Sequence, residues 1–130
     1  MGHAMTGKTE LNVLVVDDQR IMQRHIVAHL QQLGFTNVAV AENGRAALER
    51  LEQERFDFVI SDWMMPEMDG LELVTAMRAH PKHKTIPVIM ASTWPGNDQQ
   101  RIARDAGAAD YLVKPFRADA LRSAIEAIGL

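Results

Sequence analysis

The 130-residue sequence contains no cysteine. That absence excludes a disulfide framework and every thiolate metal site, and it suits a reducing compartment. Long apolar runs are missing too. Stretches such as Val13–Val16 and Val88–Ala91 fall far short of the roughly 20 residues that a membrane-spanning helix needs. No charged leader followed by an apolar core opens the chain, so no secretory signal is read. Basic residues are not in excess: 14 Lys and Arg stand against 17 Asp and Glu, a net charge of −3, which argues against direct nucleic-acid binding. Aromatics make up 5% of the chain, with one Tyr and two Trp. The expectation is a cytoplasmic protein that touches neither membrane nor nucleic acid directly. With 47% hydrophobic and 24% charged residues, the chain has the composition and length of one globular domain.

Strand-like and helix-like segments alternate along it. Leu11–Val16 is an apolar run ending at Asp17-Asp18, and a helical period follows from Arg20 to Leu33 through Met22, Ile26 and Leu30, with Gly34 as the stop. Val38–Ala41 reads as a second strand, and Asn43 is placed to cap a helix over 44–54. Phe58–Ser61 is the third strand, followed by a helix over Leu71–Arg78. Pro87 opens a fourth strand, Val88–Ala91, before a helix over 98–106 that ends at Gly107. Tyr111–Val113 is the fifth strand, and the last helix turns Leu121, Ile125 and Ile128 inward. Five strands alternating with five helices predict an α/β fold, a parallel sheet with helices on both faces. The strands are continuous apolar runs, as burial on both faces requires. Residues 1–9 read as a leader, either disordered or left over from expression, and residues 10–130 as the domain.

In such a sheet, function gathers beyond the carboxyl ends of the strands. Those ends carry Asp17 and Asp18, then Asp62, then Ser92 and Thr93, then Lys114. Three carboxylates together repel one another unless a cation joins them. With only oxygen ligands, that cation is a hard ion, Mg²⁺ first and Mn²⁺ as its substitute. A carboxylate can attack phosphorus to form an aspartyl phosphate. Phosphoryl transfer needs mainly positioning and charge neutralisation, which Mg²⁺ and a lysine supply.

The segments VVDD at 15–18, SDWMMPEMDG at 61–70, MAST at 90–93 and YLVKPF at 111–116 resemble the CheY-like receiver domains of response regulators in two-component signalling. The likeness runs over residues 10–130, and LGFTNV and DGLELV resemble the single-domain chemotaxis members. It implies a flavodoxin-like strand order, 2-1-3-4-5. It implies Asp62 as phosphoacceptor, with Asp17, Asp18, Asp62 and the backbone carbonyl of Met64 as metal ligands. Ser92 matches the hydroxyl position, with Thr93 as second choice, and Lys114 matches the lysine, joined to Pro115 by a cis bond. Tyr111 matches a switch aromatic that turns inward on phosphorylation. The phosphoryl donor would be a sensor histidine kinase or a histidine phosphotransfer protein. The surface of the fourth helix, fifth strand and fifth helix would control a downstream protein target or output domain. Met64 and Trp94 stand where relatives often carry polar residues, which predicts a longer-lived phosphoryl group. The expected chemistry is self-phosphorylation from a donor and slow autodephosphorylation, short of a turnover enzyme.

Four other readings compete. GHAMTGKT at 2–9 matches a phosphate-loop pattern formally, but such a loop works between a strand and a helix, and here a strand follows Thr9. A Mg²⁺-dependent phosphatase of the haloacid-dehalogenase type needs a second carboxylate two residues after its nucleophile, where this chain has Met64. A flavin module would want a glycine-rich phosphate loop after the first strand, and acids stand there instead. His25 and His29, one helical turn apart, lack a third ligand and read as a helix face. Arg101 and Arg104 read as a solvated face that a partner could also use.

Overall fold

The computed structural model describes residues 10–130; the leader and the phosphate-loop pattern at 2–9 lie outside them. Within the described residues, elements run β1 (Asn12–Val16), α1 (Arg20–Gln32), β2 (Asn37–Ala41), α2 (Gly44–Gln53), β3 (Phe58–Asp62), α3 (Gly70–Ala79), β4 (Val88–Ser92), α4 (Asn97–Ala106), β5 (Asp110–Val113) and α5 (Ala118–Ala127). The sheet order is β2-β1-β3-β4-β5, with every pairing parallel. The expected class, topology and element sequence are all present.

Alternation along each strand divides the core in two. Val13, Val15, Phe58, Ile60 and Ile89 face one layer, which Ile26 and Leu30 of α1 and Leu121 and Ile125 of α5 complete. Leu14, Val16, Val59, Val88 and Met90 face the other, against Leu51 of α2, Leu73 and Met77 of α3 and Ala103 of α4. The four fully buried side chains of Val13–Val16 show why β1 reads as an unbroken apolar run.

Element ends differ from the sequence expectation by a residue or so, and the differences matter at the site. β3 and β4 each extend one residue further, so Asp62 and Ser92 are the last residues of strands. Parallel pairing holds Asp62 opposite Ala91 and Ser92 opposite Val113. α3 starts one residue early because Asp69 and Glu72 form a reciprocal capping box, each side chain bonding the other's backbone N–H. Gly70 makes this start possible. Its N–H donates to the Trp63 carbonyl at 2.8 Å, and a Cβ there would run into the Asp62 carbonyl and Met90. Asn43 caps α2 through the Ala46 N–H as expected, and Gly107 closes α4 at φ 115°. α1 ends one residue short, at Gln32, with Leu33 as its C-cap, while Ile128 is the half-buried C-cap of α5.

Candidate functional site

Parallel pairing brings the carboxyl ends of β1, β3, β4 and β5 to one edge, where a cleft of about 350 Å³ is lined by Asp18, Asp62, Met64, Ser92, Thr93 and Lys114, among others. Asp17 sits behind it, fully buried. Its backbone N–H extends the ladder to the Ala41 carbonyl, and its Oδ1 accepts from the Gln19 N–H at 2.9 Å. Lys114 crosses from β5 to bridge the two buried acids: Nζ lies 2.8 Å from Asp17 Oδ2 and 3.1 Å from Asp62 Oδ1. The Lys114 side chain is only 8% exposed, and the bond to Pro115 is cis, as the resemblance implied.

The electrostatics follow from burial. Desolvation pushes the Asp62 carboxyl above its ordinary range, and the charge of Asp17 adds to this, while Lys114 pulls the other way. For Lys114, burial acts to lower the pKa but is outweighed by the hydrogen bond to Asp17 and the charges of Asp62 and Asp17, so the ammonium is held above its usual value. One ammonium thus bridges two acids in a cluster of three. Asp17, Asp18 and Asp62 each bring a carboxylate oxygen to within 4.8 Å of the others, an all-oxygen donor set that fits a hard divalent cation such as Mg²⁺.

Ser92 is buried, and its Oγ accepts from the Trp94 N–H at 3.1 Å, which leaves its hydroxyl hydrogen to donate elsewhere. Thr93 is exposed on the same cleft. Met64 lines the cleft and is 58% exposed. Trp94 does not line it: its ring packs edge-on against Trp63, with centroids 5.3 Å apart. Of the two residues expected to prolong the phosphoryl lifetime, Met64 alone lines the cleft. Tyr111 is turned inward in this structure, 7% exposed, with its hydroxyl donating to the Trp94 carbonyl at 2.7 Å and its ring edge-on to Trp63. Trp63 supplies the wall against which the Tyr111 ring packs. The sequence reading passed over Trp63, although its place directly after Asp62 was the available signal. It also passed over Gln19 and assigned Met22 to the core, whereas both line the cleft.

The remaining candidates lie elsewhere. His25 is exposed, and His29 leans on Phe116 with ring centroids 5.9 Å apart, a helix-face arrangement. Arg101 pairs with Asp98 and Arg104 with Asp110, all on the surface around α4.

The profile of the family described as "Response regulator receiver domain" matches residues 13–126. The chain belongs to the response-regulator receiver family. It is 43% identical to the chemotaxis protein CheY of Pseudomonas aeruginosa over 118 residues, 91% of this chain and 95% of that protein. The structure of the chemotaxis response regulator CheY4 of Vibrio cholerae superposes with a TM-score of 0.84 at 34% identity, covering 92% of this chain and 99% of the other. The receiver domain of a sensor histidine kinase from Pseudomonas aeruginosa, solved with a magnesium ion coordinated in its active-site cleft, superposes with a TM-score of 0.82 at 29% identity over 93% of this chain and 99% of that one. This receiver is therefore CheY-like in sequence and in fold. Among the described residues, no helix is long and apolar enough to cross a membrane. The phosphatase alternative gains no support from the site or from the relatives, since position 64 offers a thioether where that chemistry needs an acid.

Proposed function

We propose that this receiver takes a phosphoryl group onto Asp62 from a sensor histidine kinase or a histidine phosphotransfer protein, in the cytoplasm. One observation carries the reading: a buried lysine bridges Asp17 and Asp62 at 2.8 and 3.1 Å while the three acids keep oxygens within 4.8 Å of one another. Asp17, Asp18, Asp62 and the Met64 backbone carbonyl would hold Mg²⁺ or Mn²⁺. The ion, when bound, neutralises charge on the phosphoryl oxygens.

The chain's own groups do the rest. An Asp62 carboxylate oxygen attacks the phosphorus, the bond from phosphorus to the donor's imidazole nitrogen breaks, and the imidazole leaves with the electron pair. Lys114 faces the new negative charge. Ser92, whose hydroxyl hydrogen is available, donates to a phosphoryl oxygen, and the shift of the β4 end reaches Trp94 and the Tyr111 hydroxyl bonded to it. The inward position of Tyr111, bonded to the Trp94 carbonyl, is the arrangement that phosphorylation would stabilise. The readout surface is α4, β5 and α5, where Arg101 and Arg104 are exposed, and its user is a downstream protein target or an output domain. Met64, which offers only a weak thioether acceptor at the cleft mouth, slows the approach of hydrolytic water.

Incubation with Mg²⁺ and acetyl phosphate should add one phosphoryl mass to the wild type and none to Asp62→Asn. A fully labelled Asn variant would remove Asp62 from the role.

A further inference from the structure

At the opposite edge of the sheet, where the chain enters β3 and β4, a second cluster has a different donor chemistry. Glu52, near the end of α2, places Oε2 2.9 Å from His80 Nε2 and 3.1 Å from His83 Nε2. The two imidazoles belong to the His-x-x-His turn that follows α3 and stack with centroids 4.1 Å apart and planes 19° apart. Both ring nitrogens thus aim at one carboxylate oxygen, and the three ligand atoms lie within 4.8 Å of one another.

We infer that Glu52, His80 and His83 form a binding site for a borderline-soft divalent transition ion of the Zn²⁺ class, separate from the oxygen site at Asp62. Two imidazoles and one carboxylate, with a fourth position open to water, are a recurrent tetrahedral zinc set. Metal–ligand bonds of about 2.0–2.2 Å at tetrahedral angles put ligand atoms roughly 3.3 Å apart. The stacked imidazoles must tilt for both in-plane lone pairs to converge on the ion, and His80 is exposed enough to do so. The present 2.9 and 3.1 Å separations need only a few tenths of an ångström of opening. Glu52 can provide it, since its side chain is 49% exposed. The fourth position opens on a cleft of about 580 Å³ that Glu52, Lys82 and His83 help to line.

The loop is held in place for this. The His83 side chain is 3% exposed, and its backbone bonds to the His80 carbonyl and the Ile86 N–H. Arg78 donates to the carbonyls of His83, Lys84 and Gly107, tying the turn to the end of α4. Two other features oppose capture and are small. His80 Nδ1 accepts from the Lys82 N–H at 3.1 Å, which places the ring hydrogen on Nε2; capture moves that hydrogen to Nδ1 and turns the exposed Lys82 amide to water. The Lys82 ammonium, 3.7 Å from Glu52 Oε1, is on a side chain 61% exposed that can swing into solvent.

The test is a Co²⁺ titration followed by visible absorbance, with Mg²⁺ in excess and in a His3→Ala background that removes the leader imidazole. Intense bands of tetrahedral Co²⁺ are expected at one equivalent, displaced by Zn²⁺, with affinity falling tenfold or more in His80→Ala and in Glu52→Gln. Both residues are half-exposed or exposed, so these variants keep the fold, and their circular dichroism should match the parent. A His29→Ala variant should bind as the parent does. Weak octahedral bands alone, bands unchanged by His80→Ala and Glu52→Gln, or bands abolished by His29→Ala would overturn the assignment.

Discussion

The two edges of this sheet carry clusters of similar size and opposite character. At the carboxyl edge, one ammonium bridges two of three clustered acids, and those two acids and the lysine are almost sealed from water. At the other edge, one half-exposed carboxylate is met by two imidazoles, and the hydrogen bond from His83 holds the Glu52 carboxyl below its ordinary range. The first cluster is a poorly compensated negative site that a hard cation would complete. The second already satisfies its polar groups with hydrogen bonds, and a metal must displace them to enter. Parallel topology makes the difference: strand ends deliver short acidic side chains into a shared crevice, whereas the loops entering strands bring longer side chains over an open surface.

The largest break in that contrast should come from Lys114→Met. Removing the ammonium leaves Asp17 and Asp62 buried together without a counter-charge, and loss of one partner of a buried pair costs about 3–5 kcal/mol. Urea denaturation in chelator should show a loss of that order, much of it restored by Mg²⁺. An equal loss with and without Mg²⁺ would mean the lysine acts through packing alone.

Arg78→Ala tests the opposite edge. It removes the donor that ties the His83–Lys84 turn to Gly107, and the expected cost is about 2 kcal/mol for charge-assisted bonds to carbonyls. Phosphorylation by acetyl phosphate should survive, because nothing at Asp62 depends on that turn. Comparing the mass increment of variant and parent checks this.

The smallest effect carries a sign opposite to the first. Since burial holds the folded-state pKa of Asp62 above its unfolded value, the folded protein takes up this proton more readily than the unfolded chain. The group's contribution is therefore most favourable below the ordinary carboxylate range and is lost as pH rises through the raised pKa. In chelator, Asp62→Asn should stabilise the protein at neutral pH by about 1 kcal/mol and flatten this part of the pH profile. Denaturant titrations at a series of pH values decide it; a destabilised Asn variant at neutral pH would show that the Lys114 bridge outweighs burial.

The fold was legible because each apolar run is short, continuous and followed by a helical period, which leaves little besides a parallel sheet. The acids and Lys114 were legible because strand ends converge by topology, whatever the details of packing. Tyr111 was not. Its inward position depends on the face of Trp63 and the carbonyl of Trp94, contacts across β3, β4 and β5 that no local pattern encodes. The place of Trp94 was not legible for the same reason: a residue two positions beyond Ser92 could cover the cleft or turn to an aromatic neighbour, and its ring packs on Trp63. The Glu52, His80 and His83 cluster stayed hidden because its acid lies 28 and 31 residues from its imidazoles, joined only when α2 packs beside α3.

The central claim is that Asp62 alone among the three acids receives the phosphoryl group. Borohydride reduction of the freshly phosphorylated protein converts an aspartyl phosphate to homoserine, which peptide mass spectrometry locates. The account predicts homoserine at position 62 in the Mg²⁺-treated protein and none in chelator; homoserine at position 17 or 18, or none anywhere despite an added phosphoryl mass, would contradict it.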